Sequence, residues 1–302
     1  MKNIVVTGAS GFIGRYVVKA LLSKGYIVTS LSRNNHTQNT NNQNHIMVTT
    51  DYSQALLTKQ LRSCDALIHL AGRRLSREDT PGMSAPFVCD ASKILDNLLY
   101  ACKENSITRV ITTSSIGVYS DANSVPYTES EAAKPATLYG LSKLFSEQRA
   151  DFYSRQYKGS VAHVRLAQCY GYGEKPTPAI MHFIEKALKK ETIVLNDGGQ
   201  YPIDEIYIED AVRAFIKLVE SDLEGPFNIG SGRSYTILEI AQTVNKVFGN
   251  EDNIEIRPQE NAFKEKHLDI AKAKTLLGWQ PEFTLYDGLK DMKQYIHKAK
   301  RI

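Results

Sequence analysis

Thr7-Gly8-Ala9-Ser10-Gly11-Phe12-Ile13-Gly14 closes the apolar run Ile4-Val5-Val6 and opens an amphipathic one. That position makes the stretch a phosphate cradle between a strand and a helix. Gly8 permits the tight exit from the strand, Gly11 lets the backbone approach a pyrophosphate, and Gly14 lets the helix pack on the sheet. The helix N-terminus then presents free N–H groups to the phosphates. An ordinary strand-to-helix loop can carry the same glycines, so the rest of the chain has to decide between the two.

Outward from this turn, β-rich apolar runs recur at Asn3 to Val6, Ile27 to Leu31, Ile46 to Val48, Ala66 to Leu70, Arg109 to Thr113, Val161 to Leu166 and Phe227 to Ile229. Helical patterns lie between them, including Phe12 to Leu22, Ile94 to Cys102 and Leu138 to Tyr157. Apolar strands alternating with helices predict an α/β fold, a doubly wound parallel sheet of about seven strands buried on both faces. The polar segment Asn34 to Asn44 has no apolar face and reads as a mobile loop. After Tyr170 the residues Gly171, Gly173, Pro176 and Pro178 punctuate the chain before the helical run Ile180 to Lys189. We therefore divide it into a dinucleotide-binding part, 1–171, to which 204–230 returns, and a smaller, interleaved substrate-binding part, 172–302.

Composition narrows the class. The 302 residues are 42% hydrophobic and 23% charged, as in ordinary globular proteins. The net charge of +4 comes from 37 dispersed Lys and Arg against 33 Asp and Glu, which does not suggest nucleic acid as a partner. No apolar stretch approaches the ~20 residues of a membrane span, and no charged-then-apolar leader opens the chain. The expectation is a cytoplasmic protein. Cys64, Cys89, Cys102 and Cys169 are scattered without a paired spacing, which fits reduced thiols and no structural metal.

Two further features carry chemistry. The second strand ends Leu31-Ser32-Arg33, where an acid would bond both ribose hydroxyls of NAD. Arg33 can instead fork onto a 2′-phosphate, with Ser32 donating to it, which favours NADP(H) while leaving NAD(H) open. The second is Tyr139-Gly140-Leu141-Ser142-Lys143, whose Tyr and Lys share one helical face. An ammonium beside a phenol stabilises phenolate and makes a general acid/base. Of 16 tyrosines, only Tyr139 and Tyr286 have Lys at the fourth following position. Tyr139 also has Thr113-Ser114-Ser115 upstream at a strand's carboxyl end, where open α/β sheets bind ligands. Ser115 is placed to bond the substrate oxygen, whereas the Tyr286 pair lacks such a cluster. His69, inside an apolar strand, reads as a buried strand residue rather than a catalyst.

Together these motifs resemble the extended short-chain dehydrogenase/reductase family of nucleotide-sugar epimerases, dehydratases and reductases. The resemblance runs through Ser114-Ser115-Ile116-Gly117-Val118-Tyr119, Arg165-Leu166-Ala167-Gln168-Cys169-Tyr170-Gly171, Tyr207-Ile208-Glu209-Asp210, Phe227-Asn228-Ile229-Gly230-Ser231-Gly232 and Lys274-Thr275-Leu276-Leu277-Gly278-Trp279. It implies a Rossmann part and a sugar-nucleotide part, with Tyr139 as acid/base, Lys143 on the nicotinamide ribose and Ser115 on the substrate. It also implies cofactor contacts from Gly8, Ser10, Gly11, Phe12, Ile13 and Gly14, from Asp51 and Tyr52 near adenine, and from Leu70, Ala71, Gly72 and Thr113. Members commonly pair through two long helices, here starting near Ser92 and Leu138, so a homodimer is expected.

Departures from the family narrow the reaction. Dehydratases carry Asp-Glu directly after the catalytic hydroxyl, where this chain has Ile116-Gly117, and enzymes epimerising carbons beside a ketone place Cys at the second of those positions. Two readings use only hydride transfer and Tyr139: reduction of a 4-keto sugar nucleotide, and a 4-epimerase. Arg33 tips the expectation toward the NADP(H)-dependent 4-ketoreductase, with the epimerase as alternative and an idle NADP-binding regulator as a third reading. On the substrate side, Ile203-Asp204 replaces the family's Arg-Asp, Gln168 its Asn, and Ala91 the Asn before Asn97. Arg257-Pro258 matches the family's second diphosphate Arg, with Lys175 or His182 as helpers and Ser114 beside Ser115. The sugar and nucleotide stay open.

Overall fold

The computed structural model describes residues 2–33, 42–72, 81–175 and 178–299. The first half runs β1 (Asn3–Thr7), α1 (Phe12–Ser23), β2 (Ile27–Ser32), β3 (His45–Thr49), α2 (Gln54–Gln60), β4 (Ala66–His69), α3 (Pro81–Glu104), β5 (Arg109–Ser115), α4 (Leu138–Tyr157) and β6 (Ser160–Leu166). Then come β7 (Gln168–Tyr170), α5 (Ala179–Lys189), β8 (Ile193–Leu195), β9 (Pro202–Ile203), β10 (Glu205–Tyr207), α6 (Ile208–Val219) and β11 (Gly225–Ile229). β12 (Tyr235–Thr236), α7 (Ile237–Phe248), β13 (Ile254–Ile256), α8 (Ala271–Leu277) and α9 (Leu285–Ala299) complete the described chain.

Seven parallel strands form the central sheet in the order β11-β6-β5-β4-β1-β2-β3. The chain starts at β1, winds out to β3, returns across β1 to β4 and winds the other way, a Rossmann-like α/β fold whose order reverses beside β1. Apolar continuity made the strands legible: Ile4, Val5 and Val6 are essentially inaccessible, as are Leu67, Ile68, Ile111, Val164 and Phe227. Side chains alternate across the sheet, so helices cover both faces. Ile4, Val6 and Ile68 join one core cluster, while Val5, Leu67 and Val110 join the other, with α3.

One element differs from expectation. Helix α3 starts at Pro81, well before Ile94, although Gly82 and Pro86 lie inside it. Both are poor helix residues, and both are exposed, with open space around Gly82. Most of the polar segment read as a loop, residues 34–41, lies outside the described residues, as does Pro176. Strand β11 pairs with β6 along Gly225↔Ala162 to Ile229↔Leu166, so the late run Phe227–Ile229 does enter the sheet. Three small two-stranded pairs, β10-β7, β12-β9 and β13-β8, stand apart from this sheet. Among the described residues no helix is long and apolar enough to cross a membrane.

Candidate functional site

The glycine turn is built by close backbone approach. Gly8 has φ +67°, and a Cβ there would lie 2.7 Å from the Ala71 nitrogen, so the turn rests on the segment after β4. A Cβ on Gly14 would stand 2.1 Å from the Gly8 carbonyl oxygen, so only glycine lets the first turn of α1 close on the strand exit. Gly11 is the N-cap, with no side-chain cap bond and no acid in the first turn, and Ser10 and Gly11 are exposed. The positive end of the helix is therefore open to an anion, which fits a dinucleotide pyrophosphate. Phe12, partly buried, points back toward Gly171, whose added Cβ would meet its Cζ at 3.2 Å.

Tyr52 forms the other wall. Its ring is 4% exposed, its hydroxyl donates to the Leu31 carbonyl at 3.4 Å, and its backbone sits at φ +60°, unusual for a bulky residue. Burial raises the Tyr52 pKa, partly offset by the Arg33 guanidinium, whose Cζ lies 5.9 Å from the ring centroid. Arg33 is exposed just past β2, and Asp51 is exposed with its carboxylate accepting the Ser53 N–H at 2.7 Å. That bond holds the Asp51 pKa below the usual carboxylate range.

The strand ends bring the remaining residues together. Lys143 Nζ donates to the Thr113 carbonyl at 3.0 Å, lies 5.8 Å from the Tyr139 ring centroid, and is 3.6 Å from where a Gly72 Cβ would stand. Thr113 donates to the His69 carbonyl at 3.2 Å. Thr7 Oγ1 accepts the Ala71 N–H at 3.2 Å and shares a hydrogen bond with His69 Nδ1 at 2.8 Å. Desolvation and the Lys143 ammonium lower the His69 pKa, keeping the imidazole neutral. Ser115 Oγ caps a 3-10 turn over Ile116–Val118 by accepting the Gly117 N–H at 3.0 Å. A Cβ on Gly117 would lie 3.4 Å from Ser115 Oγ and 3.6 Å from Tyr139 Cδ1, so a side chain at 117 would project between the two. Thr137 caps α4 by accepting the Gly140 N–H at 3.1 Å, which orients its first turn and thus Tyr139.

Several expected residues are not drawn into this cluster. Ser114 is 3% exposed, and alternation along β5 turns its hydroxyl from the face of Thr113 and Ser115 to that of Thr112, toward α4; it does not line the cleft beside Ser115. Gln168 donates to Glu205 Oε1 at 2.8 Å, pairing an uncharged amide with a buried carboxylate that sequence reasoning had not singled out. Arg257 is exposed past β13 and bonds Asn196 Oδ1 at 3.3 Å, while Lys175 and His182 are exposed. Ile203 pairs with Tyr235 across β9 and β12, and Asp204 beside it is 2% exposed, accepting from the Ser231 and Leu268 N–H groups at 2.8 and 3.0 Å. Burial raises the Asp204 pKa against those bonds. Tyr286, the other Tyr with a following Lys, lies exposed on α9.

The buried pair Glu147–Arg165 was also missed. Glu147 follows Lys143 by one helical turn, and that spacing was the available signal.

Comparison with known proteins agrees with this geometry. The model of the NAD dependent epimerase/dehydratase family matches residues 4–230. The chain is similar to the crystal structure of UDP-N-acetylglucosamine 4-epimerase from Bacillus cereus, at 31% identity and TM-score 0.88, covering 98% of this chain and 97% of that one. It is 29% identical to a putative UDP-glucose 4-epimerase of Methanocaldococcus jannaschii over 99% of both chains. A Bacillus cereus UDP-glucuronic acid 4-epimerase in complex with UDP-glucuronic acid and NAD matches at 26% identity and TM-score 0.85, covering 98% and 99% of the two chains. This chain belongs to the NAD dependent epimerase/dehydratase family.

Proposed function

We propose that the protein is a nucleotide-sugar 4-epimerase that inverts the hydroxyl-bearing carbon 4 of a sugar carried on a nucleoside diphosphate. The observation that carries this reading is that Ser115 and Tyr139 both lie against Gly117, a position that itself offers no acid or base. Bound dinucleotide supplies the hydride acceptor and donor. Tyr139 would take the proton of O4 and Ser115 would hold that oxygen, while Lys143, anchored on the Thr113 carbonyl and beside the phenol ring, would hold the cofactor ribose. Return of the hydride to the opposite face of carbon 4, with Tyr139 giving the proton back to O4, would leave no net oxidation. The similarity to three 4-epimerases favours this over a 4-ketoreductase.

Incubation with UDP-glucose or UDP-N-acetylglucosamine, without added cofactor, should yield the galacto epimer. Tyr139→Phe should lower turnover by about two orders of magnitude or more while cofactor affinity holds. Unchanged function in Tyr139→Phe would instead support an idle cofactor-binding regulator. Arg33 favours a second reading, NADP(H)-dependent reduction of a 4-keto sugar nucleotide, for which loss of NADPH absorbance on such a substrate is the test.

The substrate is assigned to the segments within 172–302, with Gln168 and Arg257 at its edge. Exposed Leu141, Phe145 and Phe152 on α4, with Tyr100 on the adjoining α3, support a homodimer through these helices. Light scattering at monomer mass would refute that assembly.

A further inference from the structure

The Arg165 guanidinium, on β6, is almost wholly enclosed and divides its donors between two segments that the reaction must hold together. Its Nε and Nη2 donate to the Glu147 carboxylate at 3.0 and 2.7 Å. Its Nη1 donates to the Tyr119 hydroxyl at 2.7 Å. Glu147 stands on α4 one turn beyond Lys143 and two beyond Tyr139, so it shares their face of the helix. Tyr119 follows directly on the 3-10 turn that Ser115 caps. The Tyr119 hydroxyl then donates to Asn228 Oδ1 at 3.0 Å, and its ring stacks on Tyr127 at 5.0 Å between centroids. Arg165 therefore spans the gap between the segment that presents Ser115 and the helix that presents Tyr139.

Stability alone is a weak reason for such a cluster, because well-packed apolar residues often replace a buried ion pair without loss. A planar guanidinium offers something apolar packing lacks, a fork whose donors lie at fixed angles and set the separation of the groups that accept them. Burial by itself would lower the Arg165 pKa, but Glu147 and Tyr119 outweigh it and hold the group above its ordinary value. The fork is thus a permanent cation. We propose that Arg165 is a positioning residue that sets the distance between Ser115 and Tyr139 by clamping Tyr119 to Glu147. The proposal rests on the epimerase reading for its catalytic consequence.

Tyr119→Phe is the sharpest probe, since it keeps the stacked ring and the Glu147–Arg165 pair and removes the Arg165 link to the Ser115 turn together with the bond to Asn228. Turnover in carbon-4 inversion should fall about tenfold with the substrate KM within about twofold, since sub-ångström misplacement acts on the reacting geometry. In a Ser115→Ala background the same change should cost less than about twofold, because the two act through one group. A purely structural role predicts full additivity instead. Hydrogen exchange provides a readout that needs no substrate. Residues 114–120 should exchange faster in Tyr119→Phe, and both 114–120 and 137–145 in Arg165→Lys, with α1 unchanged. Additive turnover losses, or unchanged exchange in those segments, would overturn the proposal. If the wild-type protein inverts no nucleotide sugar, the epimerase reading fails, and the exchange comparison still decides whether the clamp exists.

Discussion

Gly140→Ala separates a helix argument from a site argument. Gly140 is the third residue of α4, and by helix propensity alone alanine there should stabilise by about 1 kcal/mol. The structure reverses that expectation: the new Cβ would stand 1.8 Å from the Gly117 carbonyl oxygen and 2.7 Å from its carbon, against backbone that cannot swing aside. Separating the atoms to the 3.0 Å that real Cβ contacts respect requires a shift of about 1.2 Å between α4 and the Ser115 turn. Overpacking of this kind costs about 1–3 kcal/mol, which cancels or exceeds the propensity gain. The larger effect is on the reaction, because a misplacement near 1 Å lowers turnover about a hundredfold, or about 2.7 kcal/mol of barrier. Chromatographic measurement of carbon-4 inversion, with cofactor affinity by fluorescence and the melting temperature by calorimetry, tests all three. We expect turnover down about a hundredfold, cofactor affinity within about threefold, and no rise in melting temperature. A variant with near-normal turnover and a higher melting temperature would refute the contact between Gly117 and Gly140 as the element that seats Tyr139.

Gly14→Ala places a Cβ 2.1 Å from the Gly8 oxygen, and calorimetric titration should find cofactor affinity lowered by about a hundredfold or more. Arg33→Ala should weaken NADP by about 10–150-fold, the loss of one charge-assisted bond, and leave NAD nearly unchanged; equal losses would remove the 2′-phosphate role. His69 is held neutral with a lowered pKa, so the unfolded chain binds its proton first as pH falls. The protein should therefore lose up to about 1.4 kcal/mol of stability per pH unit below the unfolded histidine pKa of ~6.5, and His69→Gln should flatten that dependence in urea melts. An unaltered acid slope in the variant would show that His69 carries none of it.

Much of this was legible in the residues themselves. Val5, Ile68, Ile111 and Val164 announce strands because a buried parallel strand must be apolar on both faces, and glycines at 8 and 14 announce the cradle because nothing larger fits. The pairing of Tyr139 with Lys143 was readable since helical spacing fixes which side chains meet within one element. Contacts between distant elements were not readable. Ser114 looked like a partner of Ser115 by adjacency, yet the pleat sends neighbouring side chains to opposite faces. The bonds of Arg165 and the close approach of Gly140 to Gly117 arise only where β6, α4 and the Ser115 turn meet in space. Local periodicity and steric need act along the chain and leave their mark in sequence, so the fold class, the glycine turn and the meeting of Tyr139 with Lys143 were determined there. The separation of Ser115 from Tyr139 depends on how three elements pack, and only the tertiary structure decided it.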